Sequence, residues 1–229
     1  MATLVIAHRG ASAEKPENTL AAFRRALALK ADGIELDVQV TRDGVPAVFH
    51  DAGLRRLTGR PGRLADHTWR ELKELRVAGT EPIPRLADAL ALVRGRAVVQ
   101  IELKRGATVA PVVRAVRRAR ATRWVILASF EAPLVRAAAK LAPDIPRMLI
   151  SAGRGGAGKL LRQMTAAGAG GLSLRHRAVR NRAMVAAIHA GGATLWCWTV
   201  NDAATARRLA EWGVGALIGD NPGLLRGAV

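Results

Sequence analysis

The chain has 229 residues and a formal net charge of +18 at pH 7, from 36 basic and 18 acidic side chains. Half of its residues are apolar, which excludes an intrinsically disordered chain, and its length suits one large domain. The only cysteine, Cys197, excludes an internal disulfide and a cysteine-based zinc site, and we expect a packed core thiol.

The positive charge favours anionic partners, namely phosphorylated small molecules, nucleic acid or an anionic membrane surface. The basic residues are scattered, however, and no block of five or six like charges occurs. Three Phe, five Trp and no Tyr offer few rings for stacking on bases. We therefore expect a small-molecule partner rather than specific nucleic acid. Neither a membrane-spanning apolar run nor a signal peptide is apparent, which predicts no stable membrane insertion and a cytoplasmic location.

Short apolar runs alternate with longer segments of helical period, a pattern typical of repeated βα units around a parallel sheet. Eight runs are candidate parallel strands, at 3–8, 33–37, 97–103, 124–128, 146–150, 171–174, 193–198 and 215–219. Candidate helices lie between them, at 17–30, 85–94, 107–121, 131–141, 158–167, 180–190 and 202–212. This order predicts an α/β protein, a (β/α)₈ TIM barrel formed as one domain over residues 1–229.

One segment after the second strand does not fit the parallel pattern. An Asp-Gly pair at 43–44 separates alternating runs at 38–40 and 45–50, which is a strong hairpin signal. Because no crossover segment is available for a parallel return, we expect an antiparallel hairpin that brings His50 back to the barrel mouth. Residues 51–84, which are rich in Gly and Pro, are expected to form a loop insertion over the active face, with one short helix near 68–76.

Polar residues follow the first strand and the hairpin. The active sites of such barrels lie at the C-terminal ends of the strands. The first strand ends in His8-Arg9-Gly10, where Gly permits a tight turn and Arg suits phosphate. His50 is expected beside His8, so that one imidazole protonates a leaving oxygen while the other accepts a proton from the nucleophile. The alternative for such a histidine is a packing role in the core.

Paired polar residues also interrupt two apolar strands. Glu35 and Asp37 lie two residues apart in the second strand, so they share one face, and Glu102 and Lys104 do so in the third. Buried carboxylates repel one another, and a divalent cation such as Mg²⁺ or Ca²⁺ would relieve that cost. Lys104 would neutralise a phosphoryl oxygen. The alternative is internal ion pairing with no catalytic role.

Two later strand ends carry further candidates. Trp198 ends the seventh strand and is expected to form a wall for a ligand, whereas Trp196 is expected in the core. Asp220 follows the eighth strand, where capping of the terminal helix explains it sufficiently. Surface or packing roles away from the strand ends are expected for the remaining histidines, His67, His176 and His189.

The chain resembles the glycerophosphodiester phosphodiesterase family in segments that span nearly its whole length. The matching pieces are HRG at 8–10, PENT at 16–19, GIELDVQVTRDGVPAVFHD at 33–51, IELK at 101–104, SF at 129–130, WTVN at 198–201 and GDNP at 219–222. It departs from the family at 83–88 and at Gly219, where Thr is usual.

This resemblance implies a barrel hydrolase that releases glycerol 3-phosphate and an alcohol such as choline, ethanolamine or glycerol. The residues that match the family's general acid and base are His8 and His50. Those that match its Mg²⁺ or Ca²⁺ ligands are Glu35, Asp37 and Glu102. Those that match its phosphate contacts are Arg9 and Lys104.

Two other functions are compatible with the sequence. A lysophospholipase D or a phosphoinositide phospholipase C-like phosphodiesterase would use the same acid–base pair and metal, but it would need an apolar rim for an acyl chain, and 51–84 is polar. A non-enzymatic anion-binding or nucleic-acid-binding protein would explain the charge but not the paired carboxylates. The nucleophile, either water or a neighbouring glycerol hydroxyl that forms a cyclic phosphate, is left open, as are the departing alcohol and the oligomeric state.

Overall fold

The computed structural model describes residues 2–104 and 109–229. Its strands, in chain order, are β1 (Leu4–His8), β2 (Gly33–Val40), β3 (Pro46–Val48), β4 (Arg76–Val77), β5 (Glu81–Pro82), β6 (Val98–Leu103), β7 (Val125–Ser129), β8 (Arg147–Ser151), β9 (Gly171–Arg175), β10 (Thr194–Trp198) and β11 (Ala216–Gly219). Its α-helices are α1 (Leu20–Ala28), α2 (Arg55–Thr58), α3 (Trp69–Leu72), α4 (Leu86–Val93), α5 (Val109–Arg118), α6 (Ala132–Leu141), α7 (Ala157–Ala166), α8 (Arg182–Ala190), α9 (Ala203–Glu211) and α10 (Pro222–Arg226). Short 3₁₀ helices lie at Leu64–Asp66 and His176–Ala178.

Parallel pairing closes eight of these strands into a ring. It runs from β1 through β11, β10, β9, β8, β7 and β6 to β2, and β2 pairs with β1. Helices connect successive strands, so the predicted (β/α)₈ barrel is confirmed. The hairpin prediction is also confirmed, because β3 pairs antiparallel with β2, with Val38 opposite Val48. Positions 107 and 108 of the predicted helix 107–121 lie outside the described residues, and α5 is described from Val109.

Alternating side chains along the strands build two apolar layers. Inward-facing residues of several strands pack together inside the barrel, and these are Ile6, Ala128, Met148, Ile150, Trp196, Ala216 and Ile218. Outward-facing residues of the same strands pack against the helices. Cys197 lies in the outer layer, and burial raises the pKa of its thiol to about 12. Among the described residues, no helix has the length and apolar character needed to cross a bilayer.

The insertion at 51–84 contains more structure than the sequence indicated. It holds α2, a 3₁₀ turn, α3 and the two-stranded ribbon of β4 and β5. Its apolar side chains form a small cluster with the hairpin, made of Ala47, Phe49, Leu54, Leu64, Leu72, Val77 and Ile83. The short helix predicted near 68–76 agrees with α3, whereas the pattern did not reveal α2, β4 and β5, which have two to four residues and are too short to show a hydrophobic period.

Candidate active site

Three carboxylates meet at the C-terminal ends of β2 and β6. Glu35 and Asp37 lie on the inner face of β2, and Asp37 stands opposite Glu102 in the parallel register with β6. One carboxylate oxygen from each of the three lies within 4.8 Å of the other two. All three residues are buried, with at most 8% of their surface exposed. The strand period of two thus places the predicted metal ligands together.

Burial perturbs the pKa of each carboxyl group. Burial, reinforced by the charge of Asp37, raises the pKa of Glu35 to about 8, and burial also raises the pKa of Glu102. The pKa of Asp37 lies below its usual value, because the charge of Lys104 and a hydrogen bond from Asn18 outweigh its burial. Two of the three carboxyl groups therefore lack full compensation within the protein, which fits a hard divalent cation with oxygen ligands.

Two cations flank this cluster. The Lys104 ammonium lies 2.5 Å from Glu102 and 3.2 Å from Asp37. The Arg9 backbone N–H donates to Glu35 at 3.0 Å, and its Nε lies 3.2 Å from Asp37. The ion pairs considered as an alternative to a metal site are therefore present, but among the described residues two cations face three carboxylates.

The turn after β1 gives Arg9 its position. Arg9 has a φ of 57° and Gly10 a φ of 84°, so the chain reverses sharply after the strand. A Cβ atom on Gly10 would lie 2.6 Å from the Cβ of Ala22 in α1. Only glycine allows this turn to pack so closely on the helix.

His8 ends β1 and is held by a carboxylate. Its Nδ1 lies 2.6 Å from an Asp220 oxygen, and its Nε2 lies 4.0 Å from Glu35. Burial lowers the pKa of His8, but the hydrogen bond with Asp220 and the charge of Glu35 outweigh it, so the pKa is raised. The capping role expected of Asp220 is wrong, since Asn221 caps α10 by accepting from the Leu224 N–H at 3.0 Å.

His50 is held in the same manner at the end of the hairpin. Its Nδ1 lies 2.6 Å from an oxygen of Asp51. The Gln39 side-chain amide donates to the backbone carbonyls of Phe49, His50 and Asp51 at 3.1, 3.3 and 2.5 Å. A buried amide on β2 therefore fixes the segment that carries the second imidazole.

These groups surround one cavity of 140 Å³. Its lining contains seven of the eight predicted site residues, and these are His8, Arg9, Glu35, His50, Glu102, Lys104 and Trp198. Asp37, the eighth, joins them through the carboxylate cluster. A larger groove of 860 Å³ between α4 and α5 is lined by no carboxylate or imidazole, so it lacks the groups for this chemistry.

Two aromatic rings form part of the cavity wall. Phe130 meets the Trp198 ring edge-on, with ring centroids 5.5 Å apart, and the Trp198 indole N–H donates to the Ser173 carbonyl at 3.0 Å. Trp196 lies in the barrel core, as expected. His176 was expected away from the strand ends, but it follows β9 directly and lines a recess beside Trp198.

The sequence interpretation missed the polar partners of the site. Asp220, Asp51 and Asn18 hold His8, His50 and Asp37 respectively. The available signal was their place inside the segments GDNP, VFHD and PENT, which match the family. Their roles depend on where separate loops return in space, and strand periodicity does not show that.

Comparison with other proteins gives consistent matches. A sequence model described as the glycerophosphoryl diester phosphodiesterase family matches residues 8–224. The Bacillus subtilis protein YhdW is 34% identical over 232 residues, 95% of this chain and 94% of YhdW. A glycerophosphodiester phosphodiesterase of Caldanaerobacter subterraneus is 41% identical over 159 residues, which cover 63% of this chain and 65%, just under two thirds, of that relative.

Solved structures share the architecture over nearly the full length. An Oleispira antarctica phosphodiesterase in complex with its product, sn-glycerol-3-phosphate, has 28% identity and a TM-score of 0.90, covering 99% of this chain and 96% of its own. A glycerophosphodiester phosphodiesterase of Agrobacterium tumefaciens has 29% identity and a TM-score of 0.87, covering 98% and 99%.

Proposed function

The chain belongs to the glycerophosphoryl diester phosphodiesterase family, and from this premise we propose that it hydrolyses glycerophosphodiesters to glycerol 3-phosphate and an alcohol. One observation carries the proposal. Two imidazoles, each bound at Nδ1 by a carboxylate, line the same cavity as the buried carboxylate cluster. This combination supplies proton transfer and charge stabilisation at one phosphorus centre.

The carboxylate cluster of Glu35, Asp37 and Glu102 would hold the divalent cation, Mg²⁺ or Ca²⁺, since both cations prefer oxygen ligands. When bound, such a cation withdraws electron density from the phosphoryl oxygens. The raised pKa of Glu35 supports this assignment, because a carboxyl group that is costly to ionise alone gains a counter-charge.

His8 and His50 are proposed as the acid–base pair. With Nδ1 engaged by Asp220 or Asp51, each ring leaves Nε2 as the nitrogen available to a reacting atom. The carboxylate partner also fixes the tautomer and the ring orientation. One imidazole then donates a proton to the departing alcohol oxygen while the other removes a proton from the attacking hydroxyl.

Arg9 and Lys104 are proposed to bind the phosphate. Both line the cavity and lie beside the carboxylate cluster. Their positive charges would offset the negative charge that develops on the phosphoryl oxygens during displacement. Trp198 would form an apolar wall against the substrate carbon atoms.

Product identification tests this function. Purified protein is incubated with Mg²⁺ or Ca²⁺ and with glycerophosphoglycerol, glycerophosphoethanolamine, glycerophosphocholine or lysophosphatidylcholine, and glycerol 3-phosphate is measured by coupled oxidation. We expect its release from the glycerophosphodiesters. His50→Ala is expected to lower kcat about 10²- to 10⁴-fold.

The matched control is His189→Ala. The ring nitrogens of His189 lie within hydrogen-bond distance of the backbone carbonyls of Ala193 and Gly213, and His189 is not among the described residues that line the cavity. The control is expected to retain wild-type kcat. Absence of glycerol 3-phosphate with every glycerophosphodiester, or full activity in His50→Ala, would overturn the proposal. Turnover of lysophosphatidylcholine alone, measured as choline release, would replace it with the lysophospholipase D function.

A further inference from the structure

A series of ion pairs leads from His50 out of the cavity and into the insertion. Asp51, which holds His50, is bound by the Arg56 guanidinium through Nε at 2.5 Å and Nη2 at 2.8 Å. The same guanidinium donates to both oxygens of Glu17, at 2.9 Å each. A planar guanidinium that meets two carboxylates in this way fixes their relative orientation, since its donors cannot move independently.

The second branch of this series returns to the cavity. Glu17 accepts a hydrogen bond from Arg9 at 2.8 Å, and Arg9 in turn lies beside Asp37. Arg56 therefore connects Asp51, which holds His50, to Glu17, which holds Arg9. Glu17 and Arg56 are 39 positions apart in sequence, so this guanidinium links two separate segments of the chain.

Arg56 itself lies outside the cavity. Its side chain is 47% exposed and is absent from the cavity lining. It favours the ionised form of both partners. Its hydrogen bonds lower the pKa of Asp51, and burial, which would raise the pKa of Glu17, is outweighed by Arg56 and Arg9 together. Any influence of Arg56 on the reaction must therefore pass through Asp51 and Glu17.

The insertion determines where this guanidinium lies. Arg56 belongs to α2, a single turn of helix that ends at Gly59 with a φ of 72°. The preceding Leu54 is fully buried in the insertion's apolar cluster and anchors the turn. Arg55, next to it on the same turn, is exposed and makes no side-chain hydrogen bond or ion pair with any described residue.

We propose that Arg56 is a positioning residue that couples the 51–84 insertion to the active site, orienting His50 through Asp51 and Arg9 through Glu17. The inference rests on the proposed function. It gives the insertion a role in the active site, because its first helical turn would fix the positions of His50 and Arg9 through Asp51 and Glu17. Loss of Arg56 should therefore affect both proton transfer and phosphate binding.

Steady-state kinetics of Arg56→Gln, Arg56→Lys and Arg55→Gln test the coupling. We expect Arg56→Gln to lower kcat and raise KM for a glycerophosphodiester, with kcat/KM falling about 10- to 100-fold, as for other residues that orient a reacting group. Arg56→Lys keeps the charge but not the paired donors, so it should recover only part of the loss. Arg55→Gln should match the wild type.

Two further readouts separate positioning from a general loss of structure. Added guanidinium should restore part of the activity of Arg56→Ala, because the site is half-exposed and the small cation can rebind between the two carboxylates. Imidazole nitrogen NMR shifts should show that His50 leaves the Nδ1–H tautomer in Arg56→Gln but not in Arg55→Gln. The NMR readout requires no turnover, so it tests the positioning role even if the proposed substrate is wrong.

Unchanged kcat and KM in Arg56→Gln, together with an unchanged His50 tautomer, would overturn the inference. A fall in kcat that only follows the folded fraction, with unchanged KM and no guanidinium rescue, would also overturn it. An inactive wild type with a tautomer shift in Arg56→Gln would remove the proposed function while leaving the positioning role supported.

Discussion

At the scale of single residues, three of the predicted residues of the candidate active site are each held by a polar partner. Asp220 holds His8, Asp51 holds His50, and Asn18 holds Asp37. That these residues lie together could be predicted from the sequence, because polar residues in apolar strands stand out. Their partners could not, since they lie in loops whose spatial neighbours are distant in sequence.

Replacing Asp220 tests this arrangement at His8. Asp220→Asn removes the charge that holds the ring, and we expect kcat to fall about 10²- to 10⁴-fold with a small change in KM. Asp202→Asn is the matched control, because Asp202 caps α9 by accepting from the Thr205 N–H. The control should keep both its stability and its kcat, because Asn caps a helix N-terminus about as well as Asp does. Wild-type kcat in Asp220→Asn would show that the ring needs no carboxylate partner.

The thiol of Cys197 gives a prediction of pH dependence. Because burial raises its pKa to about 12, the thiol stays protonated at neutral and mildly alkaline pH, where an ordinary cysteine ionises. The thiolate is the reactive form, so a disulfide reagent should label the folded protein far more slowly than the unfolded protein across that range. Rapid labelling of the folded protein at mildly alkaline pH would contradict the packed position of Cys197.

At the scale of secondary-structure elements, the strands carry the clearest sequence signal. The apolar runs predicted all eight barrel strands, and β2 extends to Val40, beyond the predicted 33–37. The extension arises because β2 continues as the first arm of the hairpin with β3. Apart from α3, the short elements of the insertion escaped prediction, since their stability comes from a shared apolar cluster rather than from their own pattern.

Gln39 connects the hairpin to the catalytic histidine candidate that follows it. Gln39→Ala removes the amide that serves three backbone carbonyls, so we expect the free energy of unfolding to fall by about 1–3 kcal/mol and kcat to decrease. Gln163→Ala, on the exposed face of α7, is the control and should change neither quantity. Denaturant unfolding and kinetics measure the two effects. A stable, fully active Gln39→Ala would mean that β3 alone positions His50.

At the scale of the whole molecule, the barrel and the carboxylate cluster contribute differently to stability. Two apolar layers hold the strands and helices together without the cluster. The alternation of strand and helix patterns was sufficient to predict this architecture, because each βα unit buries one apolar face. The carboxylates of the cluster meet because β2 pairs with β6, and closure of the ring between β1 and β2 brings His8 beside Glu35.

Thermal unfolding with and without metal tests this division. The chelated protein should keep its far-ultraviolet circular dichroism, because the apolar layers do not depend on the ion. Addition of Mg²⁺ or Ca²⁺ should raise Tm, since an ion at 100 times its Kd stabilises the folded state by about 2.7 kcal/mol. Glu35→Gln should lose this rise in Tm. Unfolding on chelation alone would assign the cluster a structural role instead.

The most direct test of the account is a metal titration of activity. Protein freed of metal by exhaustive chelation is assayed for glycerol 3-phosphate release while Mg²⁺ or Ca²⁺ is added back. We predict no activity at first, a saturable recovery, and no recovery in Glu35→Gln or Glu102→Gln. Full activity in the metal-free protein, or normal recovery in both variants, would contradict the claim that the three carboxylates hold an ion on which hydrolysis depends.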